Sequence, residues 1–119
     1  MTTRLERKAL DMIKDLLGSI IEVSPHMPVQ QASAIILVAL NEGSSMKELT
    51  ELAGVKQSTM SRHLIDLGRR NRRMEQGYQV IECRQDDFDM RKNRYNLTPK
   101  GHTVVNKLLD TVKNYADIR

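Results

Sequence analysis

From Leu5 onward, apolar residues recur at spacings of three and four: Leu5, Ala9, Met12, Ile13, Leu16 and Ile20. Arg7, Lys8, Asp11, Lys14 and Asp15 fill the other side, so the period predicts an amphipathic helix over Leu5–Val23. Ser24-Pro25-His26-Met27-Pro28 breaks it. Pro28 suits the first turn of a second helix, Pro28–Asn41. Ala32–Leu40 is apolar nearly all round apart from Ser33, the pattern of a helix buried on several sides. Gly43 ends it.

Ser45-x-x-Glu48 is a capping box ahead of Leu49 and Leu52 and predicts a short third helix that stops at Gly54. A fourth helix runs from Lys56 to about Asn71, with Met60, Leu64 and Leu67 on one face. Arg69–Gln76 reads either as its frayed extension or as a basic loop. Tyr78–Gln85 alternates as a strand does, with Ile81 and Cys83 on one side. Asp86–Asn93 is polar and turn-like, and Arg94–Leu97 is a return strand. Thr98-Pro99 starts a last helix, striped by Val104, Val105, Leu108, Leu109, Val112 and Ala116. The expected fold is mainly α with a small β-hairpin, in a single domain over 1–119. Terminal helices at 1–24 and 98–119 flank a helix–turn–helix at 45–71 and a hairpin at 78–97.

The chain has 119 residues, of which 39% are hydrophobic and only 3% aromatic. The core must therefore be built from Leu, Ile, Val, Met and Ala, with the seven methionines as flexible filler or, alternatively, as a partner surface. No apolar run spans a bilayer, so no membrane partner is expected. Met1–Lys14 is amphipathic and carries acids, unlike a signal or transit peptide. A single cysteine, Cys83, excludes an intrachain disulfide, and a reducing cytoplasm is the default compartment.

The net charge is +4, but its distribution matters more than its size. Lys56–Arg73 holds Lys56, Arg62, Arg69, Arg70, Arg72 and Arg73 against Asp66 alone, a net +5, and the rest of the chain carries −1. Such a stretch suits a polyanion such as nucleic acid; the plainer alternative is a solvated helix face.

Gly54 can turn the chain sharply between the third and fourth helices. Leu49, Leu52, Val55, Met60 and Leu64 can then pack the pair together and against the second helix. Gln57, Ser58, Thr59, Ser61 and Arg62 are left on the exposed N-terminal half of the fourth helix. In a helix–turn–helix that end enters the major groove. Gln can pair with adenine, Arg with guanine O6 and N7, and hydroxyls with bases or phosphates. An ordinary helical hairpin with a polar face has the same outline. The following hairpin has the position of a wing. Its tip carries Asp89, Arg91, Lys92 and Arg94, cations able to enter the negative minor groove.

Two segments resemble the MarR family of winged-helix regulators. One is Glu48-Leu49…Leu52-Ala53-Gly54-Val55…Ser58-Thr59-Met60-Ser61-Arg62…Leu64…Leu67. The other, more specific, is Asp89-x-Arg91…Leu97-Thr98-x-x-Gly101. The resemblance covers about residues 30 to 115. It implies a homodimer on a pseudo-palindromic operator, acting as a sequence-specific double-stranded DNA-binding transcriptional repressor. It places groove contacts on Gln57, Ser58, Thr59, Ser61 and Arg62, and a minor-groove contact on Arg91 oriented by Asp89. The first and last helices would build the dimer interface. Three features depart from the family pattern. No terminal helix follows Val104–Ala116; Gly68–Gly77 is several residues longer and holds four arginines; and Thr50 stands where Ala is common. The long stretch reads as a second phosphate-binding element.

His26, His63 and His102 show no ligand spacing with Cys83 or an acid cluster, and there is no phosphate-cradling glycine loop or nucleophile motif. No enzyme and no cofactor are expected. Few aromatics give little indication of a small-molecule effector pocket. The alternative function is a winged-helix protein-interaction module that recruits or inhibits the transcription machinery.

Overall fold

The computed structural model describes residues 3–70, 73, 75–85 and 93–116. Along the chain run α1 (Arg4–Val23), α2 (Val29–Leu40), α3 (Met46–Ala53), α4 (Gln57–Leu67), β1 (Ile81–Gln85), β2 (Asn93–Leu97) and α5 (Pro99–Ala116). The architecture is mainly α with one antiparallel hairpin, as the pattern predicts. No helix among the described residues is long and apolar enough to cross a membrane.

Local chemistry accounts for the helix starts. The Ser45 hydroxyl accepts from the Glu48 amide at 3.2 Å, and the Ser45 amide donates back to Glu48 Oε1 at 3.3 Å. Thr3 and Glu6 form the same reciprocal box at the head of α1. Each such cap stabilises its helix by about 1 kcal/mol. Pro28 stands one residue outside α2, as its N-cap, rather than within the first turn. Gly54 ends α3 in the left-handed region, at φ +66°, which permits the sharp turn into α4. Thr50 is accommodated by a hydroxyl bond to the Met46 carbonyl at 2.7 Å.

The core lies between α2, α3, α4 and the hairpin. Ile35, Val38, Leu49, Leu67 and Val80 have essentially no exposed surface, and Ala34, Met60, Leu64, Ile81 and Leu97 complete the cluster. Full burial of each large aliphatic contributes about 1.5–3 kcal/mol. Leu52 and Val55, expected in this interface, point out of it: Leu52 is 57% exposed. An eight-residue helix has one buried stripe, and Leu49 occupies it. On α2, Ile36 and Leu40 also remain exposed, so this helix is covered on fewer sides than its composition suggests.

α1 and α5 form an arm apart from that core. They run antiparallel, tied by Lys107 donating to Glu22 and by the Tyr115 hydroxyl donating to Asp15 Oδ2 at 2.7 Å. The arm draws the molecule out to 53 Å and raises its radius of gyration to 16.0 Å, against about 13.5 Å for a compact chain of this length. Ser19 alone is fully buried among the described residues of α1, while Leu10, Ile13, Leu17 and Ile21 form an exposed stripe. Leu109 and Val112 of α5 are exposed as well.

α4 ends at Leu67, four residues short of the predicted Asn71, because Gly68 leaves helical geometry at φ −88°, ψ −157°. Of the two readings of residues 69–76, the loop is the one found among the described residues. Likewise β1 starts at Ile81 rather than Tyr78. The amides of residues 77–80 are used elsewhere: Gly77, Tyr78, Gln79 and Val80 donate to the carbonyls of Arg69, Asp66, Gly68 and Leu67, at 2.9–3.1 Å. They bond the chain back to the end of α4 instead of pairing with a strand.

Candidate nucleic-acid interface

Met60, Leu64 and Leu67 recur at spacings of four and three and seat α4 in the core. This fixes what faces outward. Lys56, Gln57, Ser58 and Arg62 are exposed, and Thr59 and Ser61 are half-buried. None of the hydrogen bonds or ion pairs of the described residues uses the side chains of Gln57, Ser58, Thr59, Ser61 or Arg62. Lys56 is the N-cap and supplies no side-chain acceptor. The first amides of α4 are thus left to an outside acceptor, as at helix N-termini that hold phosphate. Ser61 also lines a cavity of about 620 Å³ between α4 and the hairpin, so it faces sideways more than Ser58 does.

The hairpin stands beside α4. Its register pairs Ile81 with Leu97, Cys83 with Tyr95 and Gln85 with Asn93. A bridge between Ser44 and Tyr95 adds the segment before α3 to its edge. Ile81 is buried but Cys83, on the same face two residues on, is exposed, because the strand has by then left the core. Burial, reinforced by the neighbouring Cys83 thiol, pushes the Tyr95 phenol up to about 12.

Arg84 stands opposite Arg94, a like-charge pairing that opposes the ladder. Each is offset by an acid. Arg84 pairs with Glu82 at 3.0 Å, whereas Arg94 meets Glu48 at 3.5 Å and donates to the Gly43 carbonyl at 3.1 Å. Arg94, expected on the wing tip, stands on β2 one pair from the loop end of the ladder, half-buried, where it joins β2 to the start of α3. Asp89, Arg91, Lys92 and Arg72 lie outside the described residues. Arg69, Arg70 and Arg73 are exposed beyond the C-terminal end of α4. They lie past the turn at Gly68, at the opposite end of α4 from Gln57 and Ser58.

The Thr98-x-x-Gly101 segment explains itself at the wing's exit. The Thr98 hydroxyl caps α5 by accepting from the Gly101 amide at 3.0 Å and donates to the Gln79 carbonyl at 2.6 Å. The Thr98 amide donates to the Val80 carbonyl at 3.0 Å. Sequence reasoning missed the role of Gly77. A side-chain carbon there would stand 2.3 Å from the Gly68 carbonyl oxygen, so only glycine lets the two strands of that loop touch. No local signal marks it, because the contact that requires glycine is with Gly68, nine residues earlier. His63 is half-buried, and His102 lies on the surface 3.4 Å from Glu42.

The sequence matches no protein-family profile and no curated protein. Solved structures do match the fold. RV1404 from Mycobacterium tuberculosis superposes with a TM-score of 0.73 at 19% identity, over 96% of this chain and 73% of that one. MepR of S. aureus in complex with DNA gives 0.71 at 16% identity, over 94% and 85%. A MarR transcriptional regulator from Methanosarcina mazei Go1 gives 0.64 at 16%, over 87% and 67%. The chain therefore has the MarR-like winged-helix fold.

Proposed function

We propose that this chain is a sequence-specific double-stranded DNA-binding transcriptional regulator. It acts as a homodimeric repressor on a pseudo-palindromic operator. The observation that carries this reading is α4, whose buried stripe turns Gln57, Ser58 and Arg62 outward together at its uncapped N-terminal end. In a helix–turn–helix this end reads base edges in the major groove. Thr59 and Ser61 flank it, and Lys56 and the open first-turn amides meet phosphate. Arg91, oriented by Asp89 and helped by Lys92, enters the adjoining minor groove. The DNA complex of MepR, which shares the fold, supports this use of the scaffold. The exposed apolar stripe of α1, with Leu109 and Val112 of α5, supports a second copy as its cover.

Selection of bound sites from random duplex DNA tests the reading, since a dimer returns two related half-sites about one helical turn apart. Arg62→Ala is expected to relax the preference at one position of each half-site, by about 1–3 kcal/mol in discrimination. Binding whose affinity does not change with salt would point instead to a protein-interaction module.

A further inference from the structure

Resting on the DNA-binding reading, we infer that Arg69, Arg70 and Arg73, carried beyond α4 on a loop whose described base is held between Gly68 and Gly77, form a second DNA-contacting element that grips phosphates beside the groove entered by α4. The first observation is charge: the segment carries four arginines against one glutamate, Glu75. The second is mounting. A basic loop that merely hung from α4 would lose much conformational freedom on binding, at about 1–2 kcal/mol for each backbone residue ordered. Here that ordering is already present at the base. Four consecutive amides, from Gly77 to Val80, bond back to the last turn of α4 and to Gly68 and Arg69. Arg70 and Gln76 form an antiparallel bridge. Gly77 brings the two strands into backbone contact. Leu67 and Val80, whose backbones are joined at 2.9 Å, are both fully buried and anchor the element in the core.

The third observation is position. Arg69 follows α4 by two residues, and Arg62 precedes it by seven. About 7.5 Å of helical rise from Arg62 to Leu67, and two further residues, put Arg69 roughly 10 Å or more beyond Arg62. That is close to the width of the major groove, about 12 Å, so a helix reading bases with Arg62 delivers its C-terminal end to a bordering phosphate strand. Arg69, Arg70 and Arg73 are all exposed there. Phosphate contacts position without reading sequence, so the element adds affinity to any duplex and leaves the choice of site to α4.

The test is the salt dependence of duplex binding, measured for the parent chain, for Arg69→Gln/Arg70→Gln/Arg73→Gln, and for the same three positions changed to Lys. Each phosphate contact contributes about 0.9 to the slope of log affinity against log salt. The Gln variant is expected to lose about two to three from that slope and to weaken equally on cognate and random duplex. The Lys variant keeps its point charges and should retain the parent slope. A Gln variant with the parent's slope overturns the inference, as does a loss confined to the cognate site. A Lys variant as impaired as the Gln variant also overturns it, since the arginines would then serve the fold. A parent chain with a flat slope would instead refute the DNA-binding reading itself, so the two failures are distinct.

Discussion

Gly101 and Gly18 should respond to the same substitution with opposite signs. Gly101 lies in the first turn of α5, against the strand that leads into the wing. An added side-chain carbon would stand 2.1 Å from the Val80 carbonyl oxygen and 3.2 Å from Leu97 Cβ. Carbon and carbonyl oxygen approach comfortably only to about 3.3 Å, so Gly101→Ala must open that gap by about 1.2 Å. Neither neighbour is a flexible chain end. The opening stretches the Thr98 bonds to Val80 and Gln79, which start at 3.0 and 2.6 Å. Overpacking of this kind costs about 1–3 kcal/mol, and two weakened hydrogen bonds add about 1–2. Alanine's better helix propensity returns about 1 kcal/mol. The net loss is about 1–4 kcal/mol. With an unfolding entropy of about 2.1 cal/mol/K per residue, this lowers the melting temperature by about 4–16 °C. Gly18, inside α1, has nothing within 4 Å of the same position. Gly18→Ala should gain about 0.5–1 kcal/mol and raise the melting point by about 2–4 °C. Calorimetry at one fixed protein concentration compares the two, because association would shift both curves. A Gly101→Ala protein melting at or above the parent would refute the close-approach reasoning.

Leu17→Glu places a charge on the exposed stripe of α1 without touching the core, so it should convert a dimer to monomer in sedimentation while leaving the circular dichroism spectrum intact; an unchanged sedimentation coefficient would count against that interface. Tyr95 should titrate near 12 rather than 10 because of its burial and the adjacent Cys83, seen as the late-ionising absorbance missing from Tyr95→Phe. Since this pKa is raised on folding, its contribution to stability is whole below about pH 10 and is lost as pH rises to about 12. A Tyr95 that ionises with the unfolded chain's value would show the phenol to be solvated.

Much of this molecule was legible wherever short-range chemistry decides the outcome. Ser45 with Glu48, Gly54, and Thr98 ahead of Pro99 each mark an element boundary through bonds to backbone only a few residues away. The buried stripe Met60, Leu64 and Leu67 likewise identifies the outward face of α4. Errors arose where distant partners decide. Residues 78–80 alternate well enough for a strand, yet their amides go to the end of α4. Leu52 and Val55 are apolar beside a core that Leu49 already fills. Arg94 has the charge of a wing-tip residue, but Glu48 and the Gly43 carbonyl, some fifty positions earlier in the chain, draw its side chain back against the start of α3. Gly77 signals nothing until Gly68 is known to lie against it.

The pairing of α1 with α5 has a consequence for the order in which the protein is made. The two ties of the arm join residues 85 and 100 positions apart. The contacts from α2 to β2 close within the intervening chain and can form while synthesis continues. Of the described elements, α1 leaves the ribosome before α5, the element it packs against most. For that interval its apolar stripe is exposed at the end of an otherwise folded body. On the proposed dimer, a nascent neighbour on the same message would present the same helix, so assembly between copies would begin before either chain had closed its own arm.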